Sequence, residues 1–272
     1  MKQDFLNYIQ ETFDFPPEEM EAFSCALSIP LKKTIRINTN KLSVEAFQKE
    51  AQKLGWRLSE TSLGNNMCYI DRDDTTTALG NTLFHTNGYF YIQELAASSS
   101  PYYMSGDMVN PTPYTILDMS ASPGGKTTQL AEYYSQSIIV ANEIDKGRLK
   151  ALYTNIDRMT AMSVVSTNYD GRFFKQVGEL FDKVLLDAPC SGEGTGYKTD
   201  DALKYRNIKN IKRIAKLQFG LLEAAIQCCK PGGEIVYSTC TLNTIENEGV
   251  IEKALEKYGE YVELIRLLDN EE

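Results

Sequence analysis

The rhythm of apolar and polar positions changes near residue 115. Downstream, short apolar runs alternate with stretches of helical spacing. Ile116–Met119, Ile138–Ala141, Val164–Thr167, Phe181–Leu186 and Glu234–Ser238 read as five strands. Between the second and third, Lys146–Arg158 puts Leu149, Leu152, Tyr153 and Ile156 on one face, the pattern of a packed helix. A longer helix is expected over Ile208–Cys229, stopping before Pro231-Gly232-Gly233. Such alternation predicts an α/β fold: a parallel sheet with right-handed crossovers, helices on both faces and strand order three-two-one-four-five.

Upstream the pattern is different. Residues 1–30 read as helices broken at Pro16-Pro17. Thr34–Asn38 reads as a strand, Ser43–Leu54 as a capped helix, and Trp56–Ser59 and Met67–Ile70 as further strands. Residues 71–110 are mixed and turn-rich. The expected division is a small helical and α+β module at 1–110 and an α/β domain at 111–272. After strand five come an acidic helix, Glu246–Tyr258, and a short apolar run, Tyr261–Leu268.

Composition narrows the classes. With 272 residues, 42% of them hydrophobic, there is enough apolar material for one large core and a smaller one. No apolar run approaches the roughly 20 residues that cross a bilayer. The start, Met1-Lys2-Gln3-Asp4-Phe5, has no basic region leading into an apolar stretch. A cytoplasmic monomer with reduced thiols is the expectation. Cys25, Cys68, Cys190, Cys228, Cys229 and Cys240 show no CxxC spacing, and His85 is the single histidine, so no metal site is expected.

The net charge of −9 argues against generic nucleic-acid binding, but it is unevenly spread. Lys198, Lys204, Arg206, Lys209, Lys212, Arg213 and Lys216 gather against only Asp200 and Asp201. On charge alone a solvated helix face is the commoner meaning; a local basic face on an acidic protein also suits an RNA backbone.

Two places carry candidate chemistry. The first is the glycine loop Ser120-Ala121-Ser122-Pro123-Gly124-Gly125-Lys126-Thr127, directly after strand one. In open α/β sheets ligands bind beyond the carboxyl ends of the strands. Gly124 and Gly125 allow close backbone approach, and the helix that follows offers N–H groups to an anion. Glu143 ends strand two, where an acid typically takes ribose hydroxyls. Asp170 follows strand three and suits an adenine amino group. A P-loop would need glycine where Ser120 stands, and GxGxxG is absent. The remaining reading is S-adenosylmethionine, held by Ser120–Lys126, Glu143 and Asp170, with Asp187 bordering it.

The second place is the pair Asp187-Ala188-Pro189-Cys190-Ser191-Gly192 and Ser238-Thr239-Cys240-Thr241, each just past an apolar run. Methylating carbon 5 of a pyrimidine needs a thiolate to add to carbon 6, a carboxyl at ring nitrogen 3, and a group that removes the carbon 5 proton. Asp187, Cys190 and Cys240 supply that set. Spacing does not say which cysteine attacks. Cys25, Cys68, Cys228 and Cys229 read instead as small buried hydrophobes, and His85 as structural.

The chain resembles the Sun-type RNA cytosine-5 methyltransferases, and most of all their bacterial small-subunit ribosomal RNA branch. The likeness runs through Thr34-Ile35-Arg36-Ile37-Asn38-Thr39, Gly88-Tyr89-Phe90-Tyr91-Ile92-Gln93-Glu94, the glycine loop, Asp187–Gly194, Asp201-Ala202-Leu203 and Tyr237–Asn247. It implies a Rossmann-like class I methyltransferase sheet with an N-terminal module that helps bind RNA. It implies Cys240 as nucleophile and Cys190 as the group assisting release. The substrate is then a cytidine in structured RNA, with ribosomal RNA expected, flipped from its stack in a single-stranded or loop context.

The readings weighed against this are a non-catalytic RNA-binding or assembly factor and a DNA cytosine-5 methyltransferase. Two departures from the family pattern stand out. Ser122 replaces the usual alanine before Pro123, adding a hydroxyl near the donor. The closing strand hairpin of the family sheet is not seen before Glu272, so strand five is expected either to be shielded by Tyr261–Leu268 or to belong to a fragment of a longer protein.

Overall fold

The computed structural model describes residues 2–105, 113–196, 203 and 206–267. Lys198, Asp200, Asp201, Ala202, Lys204 and Leu268, which figured in the sequence reading, lie outside the described residues. The chain forms two compact units. One gathers residues 1–31, 188–223 and 238–265; the other gathers 32–187, 224–237 and 266–272. Residues 1–31 of the expected N-terminal module thus fall in the first unit, and the module's remainder in the second.

The first unit opens with α1 (Lys2–Phe13) and α2 (Pro17–Ala26). The Pro16-Pro17 pair separates them, with proline at the first helical position, where its missing N–H costs nothing. Their apolar faces meet in a cluster of Phe5, Ile9 and Leu203, with Tyr8, Phe15, Phe23 and Leu242 packed against it. Cys25 is exposed, not the buried hydrophobe expected; in the last turn of α2 it is Phe23 that packs against the cluster.

The second unit holds two sheets. The smaller is antiparallel, in order β2-β3-β1-β4, from β1 (Thr34–Ile37), β2 (Trp56–Thr61), β3 (Gly64–Arg72) and β4 (Phe90–Ile92). Between β1 and β2 lies α3 (Val44–Lys53), capped by Ser43 accepting from the Ala46 N–H. Its core is aromatic. Phe47, Trp56, Phe84 and Phe90 meet edge to face with centroids 5.8–6.0 Å apart. Each such pair adds about 0.5–1.5 kcal/mol beyond area burial. The stretch that read as turn-rich supplies α4 (Leu83–Thr86), β4 and α5 (Leu95–Ser105). The His85 ring lies tilted against Phe90 at 5.5 Å between centroids, and burial lowers its pKa, as a structural histidine should behave.

The larger sheet has order β7-β6-β5-β8-β9, the three-two-one-four-five arrangement expected. Its strands are β5 (Thr115–Asp118), β6 (Ile138–Asn142), β7 (Val164–Thr167), β8 (Phe181–Asp187) and β9 (Cys229–Ser238). The pairs β5–β6, β6–β7 and β5–β8 are parallel. Helices α6 (Gly125–Tyr133) and α7 (Lys146–Met159) connect them, and α8 (Ile208–Cys228) precedes β9. Helix α9 (Glu248–Tyr258) follows.

Several expectations need correcting. In α7, Leu149, Leu152 and Met159 are buried but Tyr153 is 48% exposed. It lies one residue, about 100°, round from Leu152, at the edge of the apolar stripe. Strand five begins at Cys229 rather than Glu234. Pro231 is tolerated because β9 is an edge strand. At Gly233 an added Cβ would fall 2.7 Å from the Asp182 carbonyl oxygen, so the approach of β8 requires glycine. The last helix starts at Glu248 rather than Glu246, which is wholly buried. Tyr261, Leu264, Ile265 and Leu267 are largely exposed.

Inside the second unit, buried Arg36 of β1 joins the small sheet to α6. It pairs with Glu132, and donates to Gln93 Oε1 at 3.0 Å and Thr128 Oγ1 at 2.7 Å. A buried guanidinium persists only when its charge and donors are met in this way.

Candidate active site

β5 ends on Asp118, and the chain turns through Ser120–Gly124 into α6. Gly124 takes φ +104°, a left-handed conformation suited to glycine, and an added Cβ would lie 3.1 Å from Leu152. No side chain caps α6. The loop is latched to α7: Arg148 Nη2 donates to the Ser122 carbonyl, and Asn155 Nδ2 to that of Pro123. The Ser122 hydroxyl donates to the Arg148 carbonyl at 2.7 Å. The hydroxyl that replaces the family's alanine is therefore committed to the latch. Ala121 and Gly124 are buried, while Pro123 is exposed.

Four carboxyls belong to the ends of successive strands. Glu143, after β6, is 2% exposed. Its Oε1 accepts from the Asp145 N–H at 2.8 Å. Its Oε2 has no hydrogen-bond partner, the Arg148 Nη1 cation lying at 3.6 Å. Buried acceptors are normally satisfied, so this oxygen fits a missing hydroxyl donor. Asp170, after β7, caps the turn Gly171–Gln176 and is paired with Arg172, which holds its carboxyl below the usual range. Asp187, ending β8, meets Lys126 Nζ of α6 at 2.6 Å.

The fourth, Asp118, was not singled out from sequence. It is 1% exposed, and its Oδ2 accepts from Thr127 Oγ1 at 2.6 Å. Oδ1 is buried without a hydrogen bond of normal geometry, although the Ser120 N–H acts on the group weakly. Burial, opposed by Thr127 and reinforced by the Asp187 charge, pushes the carboxyl up to about 6. Its signal was positional: it closes the strand that launches the glycine loop.

In the other unit the two thiols are brought together. Cys190 Sγ and Cys240 Sγ are 3.1 Å apart, with Cys190 half-buried and Cys240 exposed. The hydrogen bond between them, then burial, raises the Cys190 thiol well above its ordinary value. All six cysteines are thiols, with Cys68, Cys228 and Cys229 buried as expected.

Both thiol loops rest on a buried polar network. Asn243 Nδ2 donates to Glu193 Oε2 at 3.0 Å and to Glu246 Oε1 at 2.8 Å, bridging two wholly buried carboxylates. Glu246 also accepts from the Ser191 N–H and from Gln218 Nε2, which donates as well to the Pro189 carbonyl. Ser191 and Thr241 hydroxyls are bonded at 2.7 Å. Glu193, Gln218, Asn243 and Glu246 escaped the sequence reading, since acids and amides ordinarily signal surface; their signal was proximity to the two cysteine motifs.

The basic segment divides. Arg206 is not on an open face: its Nε donates to Glu193 at 2.7 Å and its guanidinium lies 4.3 Å from the Tyr8 ring centroid. Lys209, Lys212, Arg213 and Lys216 are exposed, at the i, i+3, i+4, i+7 spacing of one face of α8. Among the described residues no group of three or more His, Cys, Asp or Glu is placed to hold a metal, and no helix is long and apolar enough to cross a membrane.

Residues 108–271 match the family described as 16S rRNA methyltransferase RsmB/F, and residues 1–95 match the N-terminal domain of 16S rRNA methyltransferase RsmF. Ribosomal RNA small subunit methyltransferase F of Vibrio campbellii is 44% identical over 253 residues, 92% of this chain and 52% of that protein. Its counterpart in Vibrio parahaemolyticus is 45% identical over 247 residues, 90% and 51% respectively. The chain thus spans about half the length of these relatives. A methyltransferase homolog from Pyrococcus horikoshii superposes with a TM-score of 0.72 at 34% identity, covering 86% of this chain and 72% of that one. NSun6 from Pyrococcus horikoshii shares the fold, with a TM-score of 0.80 at 24% identity over 93% of this chain and 86% of its own.

Proposed function

Because the chain belongs to the 16S rRNA methyltransferase RsmB/F family, we propose that it methylates carbon 5 of a cytidine in small-subunit ribosomal RNA, with S-adenosylmethionine as donor and a covalent cysteine adduct on the way. The observation that carries this reading is the thiol pair: two cysteines 3.1 Å apart, one exposed and one half-buried. A structural pair of buried cysteines would not leave Cys240 open to solvent.

The chain's residues fit the donor. Glu143 Oε2, which lacks a hydrogen bond, suits ribose hydroxyls, the uncapped start of α6 beside Gly124 and Gly125 suits a carboxylate, and Asp170 suits an adenine amino group. When bound, S-adenosylmethionine supplies an electrophilic methyl group.

The protein's part is to make carbon 5 nucleophilic. Cys240 Sγ adds to carbon 6 of the flipped base, and Asp187, held by Lys126, serves ring nitrogen 3. The proton on carbon 5 must then leave to a base before Cys240 is expelled, a release that Cys190 assists. The exposed cations Lys209, Lys212, Arg213 and Lys216 follow the RNA backbone, helped by the N-terminal module at 1–110. The protein works as a monomer in the cytoplasm, where its substrate is.

The test uses the whole protein, small-subunit ribosomal RNA and labelled donor, with bisulfite sequencing to find the modified base. Cys240→Ala should abolish methylation and any RNA adduct on a denaturing gel. Cys190→Ala should let the adduct form and persist. An adduct that survives in Cys240→Ala and vanishes in Cys190→Ala would reverse the assignment, and label appearing elsewhere than carbon 5 would overturn the chemistry.

A further inference from the structure

We propose that Glu193 is a positioning residue for the thiol pair, fixing the Cys240 loop against the Cys190 loop, and that helix α1 braces it through Tyr8 and Arg206. Its catalytic meaning rests on the reading of Cys240 and Cys190 as reacting groups; its geometric content does not.

Glu193 stands three residues after Cys190 and opens the short turn Glu193–Thr195. It is wholly buried. One carboxylate oxygen, Oε2, accepts from Thr241 Oγ1 at 2.9 Å, the Leu242 N–H at 3.3 Å and Asn243 Nδ2 at 3.0 Å. The next residue, Gly194, donates its N–H to the Cys240 carbonyl at 2.9 Å. Two consecutive residues beyond one thiol therefore hold four consecutive residues at the other. The contact is close: an added Cβ on Gly194 would come within 2.8 Å of the Cys240 carbonyl oxygen.

A buried carboxylate is costly unless its charge is met. Glu193 Oε1 is met by Arg206 Nε at 2.7 Å. Arg206 in turn lies under α1, with its guanidinium 4.3 Å from the Tyr8 ring and 6.0 Å from Phe5. The Tyr8 hydroxyl accepts from the Thr244 N–H at 3.2 Å, just beyond the bracketed residues. Helix α1 thus reaches the thiol loop twice, once through Arg206 and Glu193 and once directly. This gives the N-terminal helix a part in ordering the thiols that is separate from RNA contact.

The experiment reads thiol geometry without RNA. Diamide takes one hydrogen from each thiol, joining Cys190 to Cys240 as a disulfide while it is reduced to the hydrazine, and mass spectrometry follows the rate. The whole protein should cross-link readily. Glu193→Gln keeps the shape but presents a donor where only an acceptor fits. Thr241→Val removes one donor at nearly constant volume, and Thr241→Ser returns it. Glu193→Gln and Thr241→Val should cross-link about 10- to 100-fold more slowly, the scale on which misplacement of about 1 Å acts. Thr241→Ser should recover the rate.

In methylation, kcat should fall with cross-linking while the KM for RNA holds. Should Glu193→Gln fail to fold, the Thr241 pair decides alone. Folded variants that cross-link at the parent rate would overturn the proposal. Slow cross-linking in the variants, beside a parent protein that never methylates RNA, would uphold the bracket and overturn the functional reading instead.

Discussion

Asp118 offers a prediction whose size follows from the linkage between its protonation and folding. Its native pKa is pushed from 3.8 up to about 6, chiefly by burial. The native state therefore holds this proton more tightly than the unfolded state does. Its contribution to stability is fully present below pH 3.8 and is lost as pH rises through about 6. At about 1.36 kcal/mol per pH unit, a shift of roughly two units removes about 3 kcal/mol across that window. Asp118→Asn carries no such loss. Its amide oxygen can still accept from Thr127, and its NH2 occupies the place of the oxygen that bonds poorly. The variant should thus be more stable than the parent at pH 7 by roughly 3 kcal/mol, and nearly equal to it at pH 4. Guanidinium unfolding at steps between pH 4 and 8 measures the difference, because titrations common to both proteins cancel. A difference that stays flat across the window, or grows toward acid, would refute the account of a buried carboxylate held charged against its surroundings. A stabilised variant would also mark the position as one where the fold tolerates a cost beside the proposed cofactor loop.

Three further outcomes test other parts of the structure. Glu143→Ala should weaken donor binding by about 1–3 kcal/mol, the worth of a hydrogen bond to a charged group, and calorimetry showing parent affinity in a folded variant would remove Glu143 from the site. Replacing Lys209, Lys212, Arg213 and Lys216 together by alanine should weaken RNA binding irrespective of sequence and shrink the slope of log K against log salt by up to about 3, taking about 0.7 per phosphate contact; an unchanged slope would return the stripe to the role of a solvated face. Gly88→Ala should destabilise by roughly 3–5 kcal/mol, since the residue has φ +69° and the new Cβ would fall 1.8 Å from the Arg158 carbonyl oxygen; a melting temperature equal to the parent's would show that the packing there is looser than the geometry states.

Strands β5 and β8 of the larger sheet were legible because each puts wholly buried apolar residues in a row, and a run such as Val184-Leu185-Leu186 can hardly be anything else. The glycine loop then fixed the end of the sheet at which chemistry belongs. The segment 71–110 was illegible for the opposite reason. β4 has three residues, too few to show a period, and α5 is Leu-Ala-Ala-Ser-Ser-Ser-Pro-Tyr-Tyr-Met-Ser, which buries Ser98 and Ser100 and carries proline within it. Its helix exists because of what surrounds it, a tertiary effect that local propensity does not contain.

At the candidate site the divide is sharper, and it follows charge. Cys190 and Cys240 declared themselves because a cysteine in a loop past a strand has no core to fill, and the structure sets them 3.1 Å apart. Arg206 and Glu193 did not, because each taken alone looks like surface. Counting Arg206 into a basic face was reasonable arithmetic on seven cations, yet its partner stands thirteen residues earlier, and its other neighbour, Tyr8, about two hundred residues away in the chain. The desolvation cost of either charge would place it outside; only their pairing, with Asn243 and Thr241 filling the remaining acceptor sites, places both inside. Such a network stabilises its members jointly rather than one by one. The residues that arrange the thiols are therefore recognisable by their burial in the structure, and single-residue chemistry along the chain has no term that would reveal them.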